Sequence, residues 1–326
     1  MLLAEKLNEE KVLVARAVEP LRATSTISSL SVRRRQWFLE GLIHALLLGC
    51  ALVSILTTIG IVCVLFYESS QFFRQVSVFD FLTDTQWTPL FTEKHFGILP
   101  LLSGTFLTSV IAVGVALPLG LVIAVFLSEF AHDGVRAILK PLLEMLAGIP
   151  TIVYGYFALF FVTPMLQKII PELGGFNSLS PGLVMGIMIL PMVASLSEDA
   201  IYAVPRSLRE GGYALGATKL QIIRGILIPA ALGGISASFI LAVSRAVGET
   251  MIVAIAAGQQ PVLTINPLSQ VETMTAYIVQ ISLGDTPHGT LEFQTIFVVG
   301  SMLFLMTLAF NYLSLCLRER YQMVLR

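Results

Sequence analysis

The run ILIPAALGGISASFILAVSRAVGETMIVAIAAG, from Ile226 to Gly258, decides the class of fold. It holds 33 residues and only two charges, Arg245 and Glu249. As one straight helix it would reach roughly 50 Å at 1.5 Å per residue, against a bilayer hydrocarbon core of about 30 Å. It must tilt or break, and Gly248 is the natural break.

Five further apolar runs flank it: Gly41 to Tyr67, Leu99 to Leu127, Leu142 to Leu166, Leu179 to Leu196 and Ile296 to Leu317. Pro118, Pro150, Pro164, Pro181 and Pro191 fall inside these runs. Proline is tolerated in membrane helices because neighbouring helices satisfy the freed backbone groups. The first run exceeds the apolar core of a cleavable signal peptide and no small-x-small cleavage site follows it, so it is read as a span. The expectation is an all-α integral membrane protein with six transmembrane helices.

Composition agrees. Of 326 residues, 56% are hydrophobic and 13% charged, and mean hydropathy is +0.83. Soluble domains carry about 25% charged residues, and disordered chains need low hydrophobicity, so neither class fits. A net charge of −1 offers no basic face for nucleic acid. Cys50, Cys63 and Cys316 all lie in apolar runs and read as small apolar filler, so neither a disulfide framework nor a metal site is expected.

Lysine and arginine set the orientation. Residues 1–40 hold seven, and the second and fourth loops and the tail hold nine more. The first, third and fifth loops hold three, with none from Gln259 to Thr295. Sixteen against three places both termini in the cytoplasm and fits six crossings. The chain then divides into a cytoplasmic extension (1–40), a permease domain (41–318) and a short cytoplasmic tail (319–326). Leu2, Leu3, Leu7, Leu13 and Val14 hint at a weak amphipathic helix in the extension, and Ser25 to Ser31 reads as a linker. The first and last external loops are long enough to meet an external partner. For the amphipathic stretch Met274 to Leu283 in the last loop, a hairpin lying on the membrane surface is an equal reading.

Enzymatic motifs are missing. The sequence has no GxxxxGK[ST] loop, HExxH or GxSxG, and His44, His95, His132 and His288 are scattered. No nucleophile–base pair recommends catalysis by this chain.

Two polar features remain. The first is residues 205–229. Gly216 allows a sharp turn between two segments of helical composition, and Pro229 sits where a helix loses little by lacking its N–H. The result is a cytosolic helix–turn–helix whose apolar Tyr213, Ala214, Leu215, Leu220 and Ile223 either dock into a cleft on a soluble partner or cap their own bundle. The second is Arg245 and Glu249 at membrane depth. Four residues apart on a helix they share a face and can pair. An unpaired Arg there costs at least about 2.5–3.5 kcal/mol, so the two either line a path or lock helices together. A path lined by Arg favours an oxyanion. Thr105, Thr108, Ser109, Thr151 and Tyr154 bring hydroxyls that can line such a path or bond within the helices. Glu129, Glu144, Glu198 and Asp199 read as solvated or paired acids at cytosolic span ends.

Glu210-Gly-Gly, then Gly216 and Ile228-Pro229, resembles the EAA loop of ABC importer permeases, with Gly211 and Gly212 replacing the family's alanines. Ala147-Gly-Ile-Pro-Thr-Ile-Val-Tyr-Gly155, Ile189-Leu-Pro-Met192 and Arg245-Ala-Val-Gly-Glu-Thr-Met251 narrow the resemblance to phosphate importer permeases, PstC-like rather than PstA-like. The resemblance covers roughly Gly41 to Leu317. It implies a MetI-like (type I) permease of the inner membrane, itself without cofactor. Implied partners are a PstA-like second permease, two PstB-like ATPases carrying ATP and magnesium, and a PstS-like external phosphate-binding protein. It implies a translocation path at the ionic pair Arg245 and Glu249, to which Thr250, Thr108 and Tyr154 are added as candidate path residues. It implies an ATPase-coupling loop at Glu210, Gly211, Gly212, Ala214, Gly216, Ala217 and Leu220. A permease for molybdate or sulfate, or a stand-alone ion-coupled transporter, are the alternatives.

Overall fold

A computed structural model describes residues 40–284 and 286–324. The helix expected around Leu2–Val14, the linker at Ser25–Ser31 and the tip of the tail lie outside the described residues. Within them the chain is helical, apart from two isolated β-bridges, Trp87 to Phe96 and Gly258 to Val271.

The helices in chain order are α1 (Glu40–Phe72), α2 (Val78–Thr83), α3 (Leu99–Phe130) and α4 (Asp133–Ala147). Then follow α5 (Thr151–Gln167), α6 (Leu179–Tyr202), α7 (Arg206–Ala214) and α8 (Lys219–Val247). The series ends with α9 (Met251–Ala256), α10 (Met274–Leu283) and α11 (Leu291–Val324). Five of them, α1, α3, α6, α8 and α11, are long and apolar enough to cross a membrane.

The sixth crossing differs from expectation. The run Leu142 to Leu166 is not one helix: α4 and α5 meet at 86°. The cause is local. Pro150 has no N–H to continue α4, its ψ is 134°, and a proline pushes the residue before it out of helical geometry. The pair makes a sixth crossing only if both arms count as one span. The long run from Ile226 does break at Gly248, where φ is −87° and ψ is −1°.

Two compact units divide the chain, one ending at Val64 and the other starting at Leu65. The described part of the first is the opening of α1. None of its residues is buried, and its surface is leucine, isoleucine and valine, as a lipid-facing helix requires.

The second unit is built on α3 against α6. Gly182 and Gly186, one helical turn apart on α6, have no room for side chains: a Cβ would lie 2.8 Å from Ile111 Cβ and 2.9 Å from the Ala112 carbonyl. Small residues at this spacing let helix backbones approach closely where no hydrophobic drive operates. Pro118 and Pro191 lie inside continuous helices. Ala112, Ala116, Met185, Ile189, Ala242 and Ala246 form the central core. One end of the unit, here the α10 end, is closed by Phe72, Phe81, Trp87, Ile98, Leu101 and Tyr277. The other, the α7 end, is closed by Ala124, Ile201, Ile222, Ile223 and Leu227. The stretch Met274 to Leu283 forms a helix packed into its unit. As α10 it buries Met274, Thr275, Ala276, Tyr277 and Ile281.

Candidate functional site

Arg245 lies in the last turn of α8, level with Met188, the tenth of 24 residues in α6. Its Nη2 is 3.8 Å from Met188 Sδ, and the side chain is exposed. Glu249 is 8% exposed and turns the other way. Its Oε1 accepts the backbone N–H of Met251 at 3.2 Å and of Ile252 at 3.5 Å, capping α9. Its carbonyl accepts the Thr275 hydroxyl at 2.7 Å, tying the break to the start of α10. The expected Arg245–Glu249 pair therefore does not form. The chain leaves the helix at Gly248, so the shared face that four-residue spacing needs is lost. Arg245 is left as a guanidinium at mid-helix depth with no carboxylate partner among the described residues.

The hydroxyls of the other expected path residues are engaged by backbone carbonyls. Thr108 is buried and donates to the Gly104 carbonyl at 2.9 Å within its own helix. Tyr154 is 7% exposed, and its hydroxyl donates to the Leu146 carbonyl at 2.8 Å, bracing the α4–α5 bend. Thr250, half-buried, donates to the Gly248 carbonyl at 3.3 Å.

At the α7 end the helix–turn–helix forms as expected. Leu215 ends α7, and Gly216 takes φ +78°, a conformation side chains disfavour. Thr218 and Gln221 form a capping box that starts α8, with the Thr218 N–H donating to Gln221 Oε1 at 2.8 Å. Glu210, Gly211, Ala214 and Leu220 are exposed, as are Tyr213 and Leu215, the latter by 90%. Ala217 packs partly into the core of that end, and Gly212 is buried where a Cβ would meet Ile226 Cδ1 at 2.9 Å.

Glu129, Glu198 and Asp199 are paired acids, one of the two readings the sequence allows, but their partners and the network beneath this knob were not foreseen. Glu198, fully buried on α6, accepts from both Arg136 and Lys140 of α4, and Lys140 reaches Asp199 at 2.8 Å. Arg136 also lies over the Tyr202 ring at 4.3 Å. Arg209 of α7 pairs with Glu129 at 3.2 Å and donates to the Ile201 carbonyl at 2.8 Å. The Gly182-x-x-x-Gly186 spacing is a local signal of close helix packing. The partners of Glu198 come from a helix 58 and 62 residues away, so no local pattern announces them.

Residues 116–321 match the family described as binding-protein-dependent transport system inner membrane component. The chain belongs to this family. The matched span contains both the exposed knob and the break at Gly248. As a transport permease of the inner membrane, the protein resembles several curated relatives over most of its length. It is 35% identical over 274 residues to the probable ABC transporter permease protein YqgH of Bacillus subtilis, covering 83% of this chain and 88% of the relative. It is 33% identical to the phosphate transport system permease protein PstC of Mesorhizobium japonicum, covering 80% and 84%. It is also 33% identical to PstC of Haemophilus influenzae, covering 70% and 76%. Among solved structures, a bacterial ABC transporter involved in the import of the acidic polysaccharide alginate shares the fold. Its TM-score is 0.58 at 16% identity, over 88% of this chain and 96% of that one. This permease is an ABC importer subunit, and its helices give the family's multi-pass membrane component.

Proposed function

We propose that this permease carries inorganic phosphate. The observation that carries the reading is Arg245, a guanidinium level with the middle of α6 that is exposed and has no carboxylate partner among the described residues. A charge kept at depth against its desolvation cost is best explained by an anion that passes it. The planar guanidinium suits the oxygens of phosphate. The resemblance of several relatives to phosphate permeases supports the same choice.

Both termini lie in the cytoplasm on this reading, and the knob from Arg206 to Ile222 faces it. The chain pairs with a PstA-like permease, two PstB-like ATPases and a PstS-like binding protein. Closure of the ATPases on ATP pushes the exposed Tyr213, Leu215 and Leu220. Because Gly212 packs tightly on α8, α7 and α8 move together. That motion opens the bundle towards the binding protein, and hydrolysis resets it. Such a switch needs contacts that differ between the two states, which a knob held by one partner supplies.

Labelled phosphate uptake by proteoliposomes holding the assembled transporter tests the reading. Arg245→Ala is expected to lower uptake at least about tenfold while the subunits still co-purify, the loss of one charge-assisted contact to the anion. Normal uptake by the assembled variant would overturn it. Competition decides the anion: excess molybdate or sulfate should leave phosphate uptake unchanged, and suppression by either would reassign the cargo.

A further inference from the structure

At the α10 end a cleft of about 970 Å³ opens between the 84–98 loop, residues 259–263 and α10. Its rim is apolar and exposed, with Leu90, Phe91, Val262 and Leu263 uncovered. Its inner wall carries Glu272, which is 2% exposed and whose Oε1 has no hydrogen-bond partner. A carboxyl buried without a partner is costly, and such groups are paired or neutralised. Among the described residues none supplies a cation here. No Lys or Arg lines the cleft, and none occurs from Gln259 to Thr295. Lys94 is held by Glu292, and His95 by Asp84 at 2.9 Å. The titratable group beside Glu272 is the Tyr277 phenol, bonded to Thr295 at 2.7 Å. Helix α3, whose Gly104 abuts the Glu272 carbonyl, brings the Thr105 hydroxyl to the Met274 N–H beside it.

We propose that this cleft receives a Lys or Arg side chain of the transport system's external binding protein, its stem on the apolar rim and its charged tip on Glu272. The match is one of shape and charge. Lys and Arg lay an apolar stem along hydrophobic surface and keep a cation at the tip. The side-chain carbonyls of Gln86 and Gln280, both on the cleft wall, add acceptors for the remaining N–H groups. An exposed apolar rim around one buried charge is the anatomy of a protein contact rather than of a small-ion site. The inference rests on the reading that the α10 end faces outward.

Burial pushes the Glu272 carboxyl up to about 8 in the free permease. Docking of a cation favours the ionised form. Between pH 7 and 9 the ionised fraction of such a group rises from about one tenth to about nine tenths, so affinity should rise about tenfold.

The test uses the assembled transporter in lipid nanodiscs and its own purified binding protein, with affinity measured at pH 7 and pH 9. Wild type should tighten about tenfold. Glu272→Gln should lose that rise and bind at least tenfold more weakly at pH 9. Phe91→Ala, an exposed rim change that cannot unfold the core, should weaken binding several-fold and keep the pH response. Equal affinity of wild type and Glu272→Gln at both pH values would overturn the proposal. So would protection of wild type alone, by guanidinium or ammonium ions, from thermal unfolding while docking ignores the variant: the cleft would then be a small-cation site. Phosphate uptake in the same nanodisc preparation, moved to liposomes, separates the two readings. Loss of anion specificity leaves the docking profile intact, and loss of the Glu272 effect leaves uptake of phosphate over molybdate intact.

Discussion

Two carboxyls are buried at opposite ends of the second unit, and they are treated differently. Glu198, at the α7 end, has no exposed surface and holds Arg136 and Lys140. Glu272, at the α10 end, is 2% exposed, and its Oε1 has no hydrogen-bond partner among the described residues. The first is a finished structure: a charge removed from water and repaid by two cations, which together tether α4 across the end of α6. The second is half of a structure. Burial alone says little about a charge; its counter-ion decides whether it works as a joint.

Neutralising each carboxyl in turn is the sharpest way to break the comparison, because opposite signs are expected. Glu198→Gln should destabilise by about 2–3 kcal/mol, below the usual cost of breaking a buried pair because Arg136 and Lys140 stay partly solvated. It should also release α4, read as faster tryptic cutting after Arg136 with a lower melting temperature. An unchanged melting temperature and digestion pattern would make the network ornamental.

Glu272→Gln should do the reverse, and only at high pH. Its carboxyl sits at about 8 when folded against an ordinary 4.5. The folded state therefore holds a proton that the unfolded state has released. That contribution is fully present below pH 4.5 and is lost as pH rises through about 8. Gln keeps the neutral shape without the loss. The variant should melt with wild type at pH 5 and above it at pH 9. A variant that melts lower at both would mean that Glu272 already has a partner.

How far this was legible depends on the range over which each feature is specified. The break at Gly248 and the turn at Gly216 could be read because one residue and its immediate neighbours set them. The 86° bend after Ala147 carries an equally local signal in Gly148 and Pro150, but an apolar run was weighted above it. The Arg245–Glu249 pair failed for a related reason: four-residue spacing implies contact only while the helix continues, and Gly248 between them ends it. Glu198 looked like an interfacial acid because its cations lie in another helix. Glu272 gave no signal, since a lone acid in a polar loop becomes unusual only when packing hides it.

The smallest effect lies inside the α7 end, where the distinction between a filled and an open neighbourhood narrows to two adjacent glycines. Gly211 has nothing within 4 Å of a would-be Cβ, whereas at Gly212 it would meet Ile226 Cδ1 at 2.9 Å and Ile222 Cγ1 at 3.0 Å. Both lie in α7, so both carry the entropic cost of helical glycine, about 0.5–1 kcal/mol relative to alanine. Gly211→Ala should recover that amount and leave coupled ATP hydrolysis unchanged. At Gly212 the gain is opposed by overpacking, typically about 1–3 kcal/mol, softened because both obstacles are isoleucine side chains that can turn aside. The expected sum is a small loss of stability and a shift of α7 away from α8. Since the proposed lever works only if those helices move as one, Gly212→Ala should lower transport per ATP hydrolysed more than it lowers the melting temperature. If both alanines behave alike, the tight joint between α7 and α8 is not what transmits the motion.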